Sequence, residues 1–118
     1  MNTTVYVGTS GYSYSDWVGP VYPEGTDRSR FLEHYARMFP AVELNFTYYR
    51  QPDPRLIGAM VERTPDAFRF TVKAHKTLTH VVSDAWQDEV TVFRDGIAPC
   101  LEAGRLLSVL LQFPYSFH

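Results

Sequence analysis

The chain is poor in the features that mark specialised proteins. It has one cysteine, Cys100, in 118 residues, so no intrachain disulfide and no all-cysteine zinc site can form. It has no excess of either charge: 11 basic residues stand against 13 acidic ones, a formal net charge of -2. A broad basic surface for nucleic acid is therefore not indicated, although a local patch remains compatible with this balance. No apolar run approaches the roughly 20 residues of a membrane helix. The start, Met1-Asn2-Thr3-Thr4, leads directly into a β-rich run without a signal-peptide pattern. No membrane partner is expected, and the cytoplasm is the expected location. Internal repeats and low-complexity stretches are also missing. What is present is 45% hydrophobic and 20% charged, which suits one folded domain, and 15% aromatic, with many rings set among Gly and Pro.

Short β-rich runs alternate with helical patterns. Val5-Tyr6-Val7, ended by Gly8, predicts a first strand, followed by a long loop from Thr9 to about Thr26. Arg28 to Phe39 predicts a helix, because Phe31, Tyr35 and Met38, with Leu32 and Phe39 beside them, make an apolar stripe. Thr26 or Ser29 is the expected cap and Pro40 the stop. Ala41 to Asn45 predicts the second strand. Asp53-Pro54 opens the next helix, with Asp as N-cap and Pro at the first helical position. Leu56, Ile57, Met60 and Val61 form its apolar face, and Thr64-Pro65 ends it. Phe68 to Lys73 alternates strictly and predicts the third strand. Ser83 or Asp84 opens a third long helix with Val90, Phe93 and Ile97 inward; Pro99 breaks or kinks it, and Gly104 closes it. Ser108 to Gln112 predicts the fourth strand.

The order βαβαβαβ favours parallel strands with helices packed outside. In the second strand Glu43 and Asn45 oppose Val42 and Leu44, and in the third Arg69, Thr71, Lys73 and His75 oppose Phe68, Phe70 and Val72. One face is apolar and meets helices; the other is polar, as in a barrel interior that leads to a mouth. A complete eight-stranded barrel takes about 250 residues. The expectation is therefore an α/β fold, a TIM-like barrel represented by its first four β/α units, with residues 1–118 as a single partial domain.

The residues themselves are familiar. Val7-Gly8-Thr9-Ser10-Gly11-Tyr12, Trp17, and Val21-Tyr22-Pro23-Glu24-Gly25 resemble the opening of the domain of unknown function 72 family, also called YecE-like. Phe31 to Ala36, Val42 to Asn45, Thr47 to Arg50, Phe68 to Ala74, Thr79-His80 and Leu110 to Pro114 continue the resemblance in order along the chain. It implies a TIM-like barrel of which this chain covers about the N-terminal half. It implies no activity, since the family is named for lacking one. Phe46 departs from the pattern, which has a small residue before Thr47.

In such barrels the site lies at the C-terminal ends of the strands. Glu43 and Lys73 are the candidate catalytic residues: both have the inward parity, one suited to acid/base work, the other to binding an anion or forming a Schiff base. Their strands are neighbours, so an ion pair between them is expected. Thr9 and Ser10, in the Gly8-Thr9-Ser10-Gly11 turn, are candidates for holding an anion through backbone N–H groups. Asn45, Tyr49, Arg50, His75, His80 and Gln112 complete the candidate substrate-binding set. Glu43, His75 and His80 lack a compact ligand spacing, so neither a metal nor a cofactor is expected. Tyr12, Tyr14, Trp17 and Tyr22 suit stacking on sugars or bases, or a satellite core under the loop; for Trp17 the satellite core is the expectation. Cys100 reads as a buried structural thiol.

Two functions follow. One is a barrel enzyme acting on a phosphorylated or polyhydroxylated small molecule. The other is a non-catalytic module for a glycan or single-stranded nucleic acid, using the aromatic loop with Arg50, Lys73 and Lys76. A 118-residue chain lacking half the site could also be an inactive fragment. Its expected partner is the C-terminal half of the barrel, or another copy through open strand edges.

Overall fold

The computed structural model describes residues 3–116. Strands β1 (Gly8–Ser10), β2 (Ala41–Leu44), β3 (Arg69–Lys73) and β4 (Leu106–Leu110) form one parallel sheet in the order β1-β2-β3-β4. Helices α1 (Phe31–Met38), α2 (Phe46–Tyr49), α3 (Pro54–Glu62) and α4 (Trp86–Glu102) connect them. Phe31, Leu32 and Tyr35 of α1, Ile57 and Met60 of α3, and Phe93, Ile97 and Cys100 of α4 share one core with Val42, Leu44, Phe70 and Val72 of the sheet. Glu43, Thr71 and Lys73 point to the opposite face, as the alternating burial of β3 requires. Parallel strands in sequential order, with the long helices on one face, are the first four units of a TIM-like α/β barrel.

Several boundaries differ from expectation. Val5 and Val7 are exposed, and the first ladder is Gly8–Ser10 instead, paired Gly8↔Ala41, Thr9↔Val42 and Ser10↔Glu43. One step earlier the partner would be Pro40, which has no N–H to give. The start of the first helix is a 3-10 turn, Arg28–Arg30, and neither Thr26 nor Ser29 caps it: their hydroxyls donate to the Pro23 carbonyl and to Asp27. Met38, Leu56 and Val90 lie on exposed surface, so the apolar stripes are narrower than drawn. The short helix α2 was not expected. Helix α4 starts at Trp86, with Ser83 Oγ accepting from the Ala85 N–H just before it, and it runs through Pro99 to Glu102. Strand β4 begins at Leu106, two residues earlier than expected, and ends at Leu110. Its pairing with β3 shifts after Phe70↔Leu106 to Thr71↔Ser108.

Other expectations hold. Asp53 caps α3 by accepting from the Arg55 N–H at 2.9 Å, with Pro54 at the first helical position. Gly104 follows α4 with φ +70°, a conformation that a Cβ disfavours. The aromatic loop is structural, as expected of Trp17, but it extends the main core and is not a satellite: Tyr22 is fully buried in that core, stacks on Phe31 with centroids 4.8 Å apart, and donates its hydroxyl to the Tyr12 carbonyl at 2.6 Å. Trp17 packs beside it. Burial, then the neighbouring Tyr35, Tyr12 and Tyr14, push the Tyr22 pKa up to about 12. Among the described residues no helix is long and apolar enough to cross a membrane.

Candidate functional site

At the N-terminal end of the sheet the polar groups serve stability. Arg105 is buried; its Nε donates to the Phe68 carbonyl at 2.6 Å and its Nη2 to Thr64 Oγ1 at 2.6 Å. Thr64 in turn donates to the Met60 carbonyl at 3.1 Å, so the arginine ties β4 to the end of α3. Burial, then Arg69 nearby, hold its pKa below the usual value.

The C-terminal end is arranged differently. Its half-buried polar side chains have contacts that do not explain all of them. In register, Glu43 lies between Ser10 and Thr71 on the helix-free face. These three line a depression of about 180 Å³ that extends along this face toward the start of the strands, with Tyr6, Gly8 and Leu107. Asn45, just past β2, donates through Nδ2 to Ser10 Oγ, while its Oδ1 is buried without a partner. A second cleft, of about 170 Å³, runs beside Asn45 between Tyr12, Tyr14 and Phe46.

Lys73 closes β3. Its Nζ lies 4.8 Å from the centroid of the Tyr48 ring. Tyr48 meets Tyr49 edge-on at 4.9 Å and His80 edge-on at 5.1 Å. The helix α2 that carries Tyr48 is a single turn of residues with modest helix propensity. Thr47, fully buried, fixes it by donating to the carbonyl of Lys73 at 2.5 Å. Consecutive residues of α2 therefore hold the backbone and the ammonium of the same lysine.

The structure revises several sequence-based assignments. Glu43 and Lys73 have the expected parity, but the register sets Glu43 beside Thr71 and leaves Lys73 two residues further along β3. Among the described residues the one ion pair is Arg30–Glu33, and the Lys73 ammonium turns to Tyr48 instead. The anion-holding amides of the first turn are also committed elsewhere. The Thr9 N–H donates to the Tyr35 hydroxyl at 2.7 Å and the Gly11 N–H to the Glu43 carbonyl at 2.9 Å. The Thr9 side chain shares the core-facing parity of Val42, and its hydroxyl donates to the Gly11 carbonyl. His75 is buried and accepts at Nδ1 from the Thr77 N–H, capping the 3-10 turn Lys76–Leu78. This is a structural task, joined through Thr77 to Glu89 and through Glu89 to Gln51.

Ser10 and Asn45 are brought together, as are Lys73 and His80 around Tyr48. Tyr49, Arg50 and Gln112 are exposed, Gln112 two residues beyond β4. Thr47 was missed by sequence reasoning; a hydroxyl residue directly after a strand end is the available signal. No cluster of three His, Cys, Asp or Glu side chains occurs among the described residues.

Comparison with known proteins agrees with this architecture. The chain is 30% identical to UPF0759 protein YunF of Bacillus subtilis over 115 residues, 93% of this chain and 40% of the relative. It is 33% identical to UPF0759 protein YecE of Escherichia coli K12 over 114 residues, 96% of this chain and 39% of the relative. A crystal structure of a DUF72 family protein from Thermotoga maritima superposes with a TM-score of 0.81 at 45% identity, over 98% of this chain and 46% of that one. The chain thus spans about 40% of the length of the curated relatives it matches. The family model described as "Protein of unknown function DUF72" matches residues 6–118, and the chain belongs to that family.

Proposed function

We propose that these four β/α units carry one wall of the active site of a barrel enzyme acting on a phosphorylated or polyhydroxylated small molecule. A barrel does not select a chemistry by itself, so the reading rests on residues. The observation that carries it is Lys73: a half-buried cation at the C-terminal end of a strand, on the helix-free face, held by a ring and, among the described residues, by no carboxylate. In this reading Lys73 binds the anionic or electron-rich oxygen of the ligand. Glu43, in the depression on the same face of the sheet, is the acid/base. Asn45, Ser10, Tyr49, His80 and Gln112 orient hydroxyl groups.

Calorimetric titration of the chain with paired phosphosugars and free polyols tests the proposal. Saturable binding that is lost in Lys73→Met and weakened in Glu43→Gln is expected. Failure of every member of the panel to bind, with the chain folded by circular dichroism, overturns it. Turnover of a bound member, dependent on Glu43, is the expected second readout.

A further inference from the structure

The sequence leaves two roles open for a lysine at the end of a barrel strand: a fixed cation, or an amine that attacks a carbonyl. We infer that Tyr48 is a positioning residue that orients the Lys73 ammonium, so that Lys73 serves as a cation for a phosphate-type oxyanion and not as an amine nucleophile. The inference rests on the reading of this end of the sheet as a ligand site, and it names the group recognised there.

Three observations support it. First, the Nζ sits 4.8 Å from the Tyr48 centroid, within the range where the negative face of the ring attracts a cation. A Schiff-base lysine needs the opposite environment, one that disfavours the charged amine through apolar burial or a second cation. Second, the ring cannot easily turn away. Tyr49 and His80 meet it edge-on at 4.9 and 5.1 Å, and Thr47 anchors its helix turn to the Lys73 carbonyl at 2.5 Å. Third, Lys73 has no carboxylate within ion-pair distance among the described residues, so its charge is not already neutralised. A cation that is oriented, half-buried and without a counter-anion offers an oxyanion a site at little cost of ordering. The ring contact leaves the ammonium N–H groups directed away from the ring to serve as donors. His80, on the edge of the same ring, stands on the flank from which a second donor could come.

The chain has only two lysines, Lys73 and Lys76, which makes the test clean. With carbon-13-labelled lysine, two sets of side-chain signals report directly. The methylene beside Nζ of Lys73 is expected to be shifted upfield by the ring current of Tyr48, and that of Lys76 is not. The shift should persist in Tyr48→Phe and vanish in Tyr48→Leu. Titration with inorganic phosphate should move the Lys73 signals first. Tyr48→Phe should bind phosphate within about two-fold of the parent chain. Tyr48→Leu should bind it roughly two- to five-fold more weakly, the range of a partly exposed cation–π contact. Lys73→Met should abolish that binding.

Should Tyr48→Leu not fold, the parent spectrum and Tyr48→Phe still decide. An unshifted Lys73 methylene in the parent chain overturns the inference. So does phosphate binding that is absent or that ignores Lys73. Reductive trapping with glyceraldehyde 3-phosphate and cyanoborohydride is the converse test: an adduct forming faster at Lys73 than at Lys76 overturns it as well. Lys73-dependent phosphate binding without turnover of any phosphosugar would leave the cation role standing and remove the enzyme reading, so the two failures are distinguishable.

Discussion

The Tyr35 hydroxyl donates to the Ala41 carbonyl at 2.7 Å and, on its other side, accepts from the Thr9 N–H at 2.7 Å. One phenol on α1 thereby joins β1 to the start of β2, where the backbone ladder is shortest. Tyr35 is fully buried and its ring is stacked on Phe39 with centroids 5.0 Å apart, so the hydroxyl is placed by packing. Tyr35→Phe keeps the packing but strands the buried Ala41 carbonyl and the part-buried Thr9 N–H, at a cost of about 1–3 kcal/mol. Urea denaturation should show that loss. Hydrogen exchange should quicken at Thr9 before it does in β3. A variant as stable as the parent would show that the strand pairing does not depend on this hydroxyl.

Two helix glycines make a matched pair. A Cβ on Gly96 would lie 2.2 Å from the Pro52 carbonyl oxygen, so the chain leading into α3 crosses α4 where only glycine fits. Gly96→Ala forces a backbone shift and should destabilise by about 1–3 kcal/mol. A Cβ on Gly58 would meet Pro99 at 3.7 Å, an ordinary contact. Gly58→Ala should therefore stabilise α3 by about 0.4–1 kcal/mol, as expected of a helix-interior glycine whose backbone suits alanine. Thermal melts of the two variants should move in opposite directions.

These relationships mark the boundary of what was legible in the sequence. Alternation from Arg69 to Lys73 announced a strand with one buried face, and Asp53-Pro54 announced a helix start; both are local signals and both hold. Strand β1 was misplaced because Val5 and Val7 have high β propensity, while the ladder is decided by the partner, and the partner's first usable residue is Ala41. Parity set Glu43 and Lys73 on the correct face. Register, which depends on where the two strands begin to pair, separated them by two residues. The contact between Lys73 and Tyr48 needs the turn α2, whose residues carry little helical signal of their own and are held by Thr47 reaching across to β3. The candidate cluster is thus a tertiary property, read from its neighbours and not from spacing.

Cys100 is buried and burial pushes its thiol up to about 11; nearby Arg105 and Arg69 offset only part of this. The folded-state value lies above the ordinary thiol value of 9.0, so the contribution to stability is complete below pH 9 and is lost as pH rises from there through 11. Chemical denaturation at stepped pH should show stability falling over that window, with a shallower fall in Cys100→Ala. Iodoacetamide at pH 9 should label the thiol slowly in the native chain and rapidly in urea. Equal labelling rates would mean that the helix end around Cys100 opens freely.

Strand β4 carries the last prediction. Val109 pairs in register with Val72; yet Val72 is fully buried and Val109 is 37% exposed, although both have core-facing parity. Leu111 continues that parity and is 51% exposed. Beside them runs a strand edge that faces no further strand among the described residues, and β1 presents a second such edge. Open edges next to apolar side chains are templates for pairing with another chain. The 118-residue chain on its own should therefore self-associate, with sedimentation velocity showing larger species as concentration rises. Val109→Lys with Leu111→Lys places charge on the edge and should shift the distribution back toward monomer. Val5→Lys, a charge on a residue that is 73% exposed and outside the ladder, should leave it unchanged. If the parent sediments as a monomer at every concentration and melts in one sharp transition, the β4 edge is protected by its own neighbours. If Val5→Lys disperses the chain as well as the β4 pair does, general surface charge controls association and the edge has no special part in it.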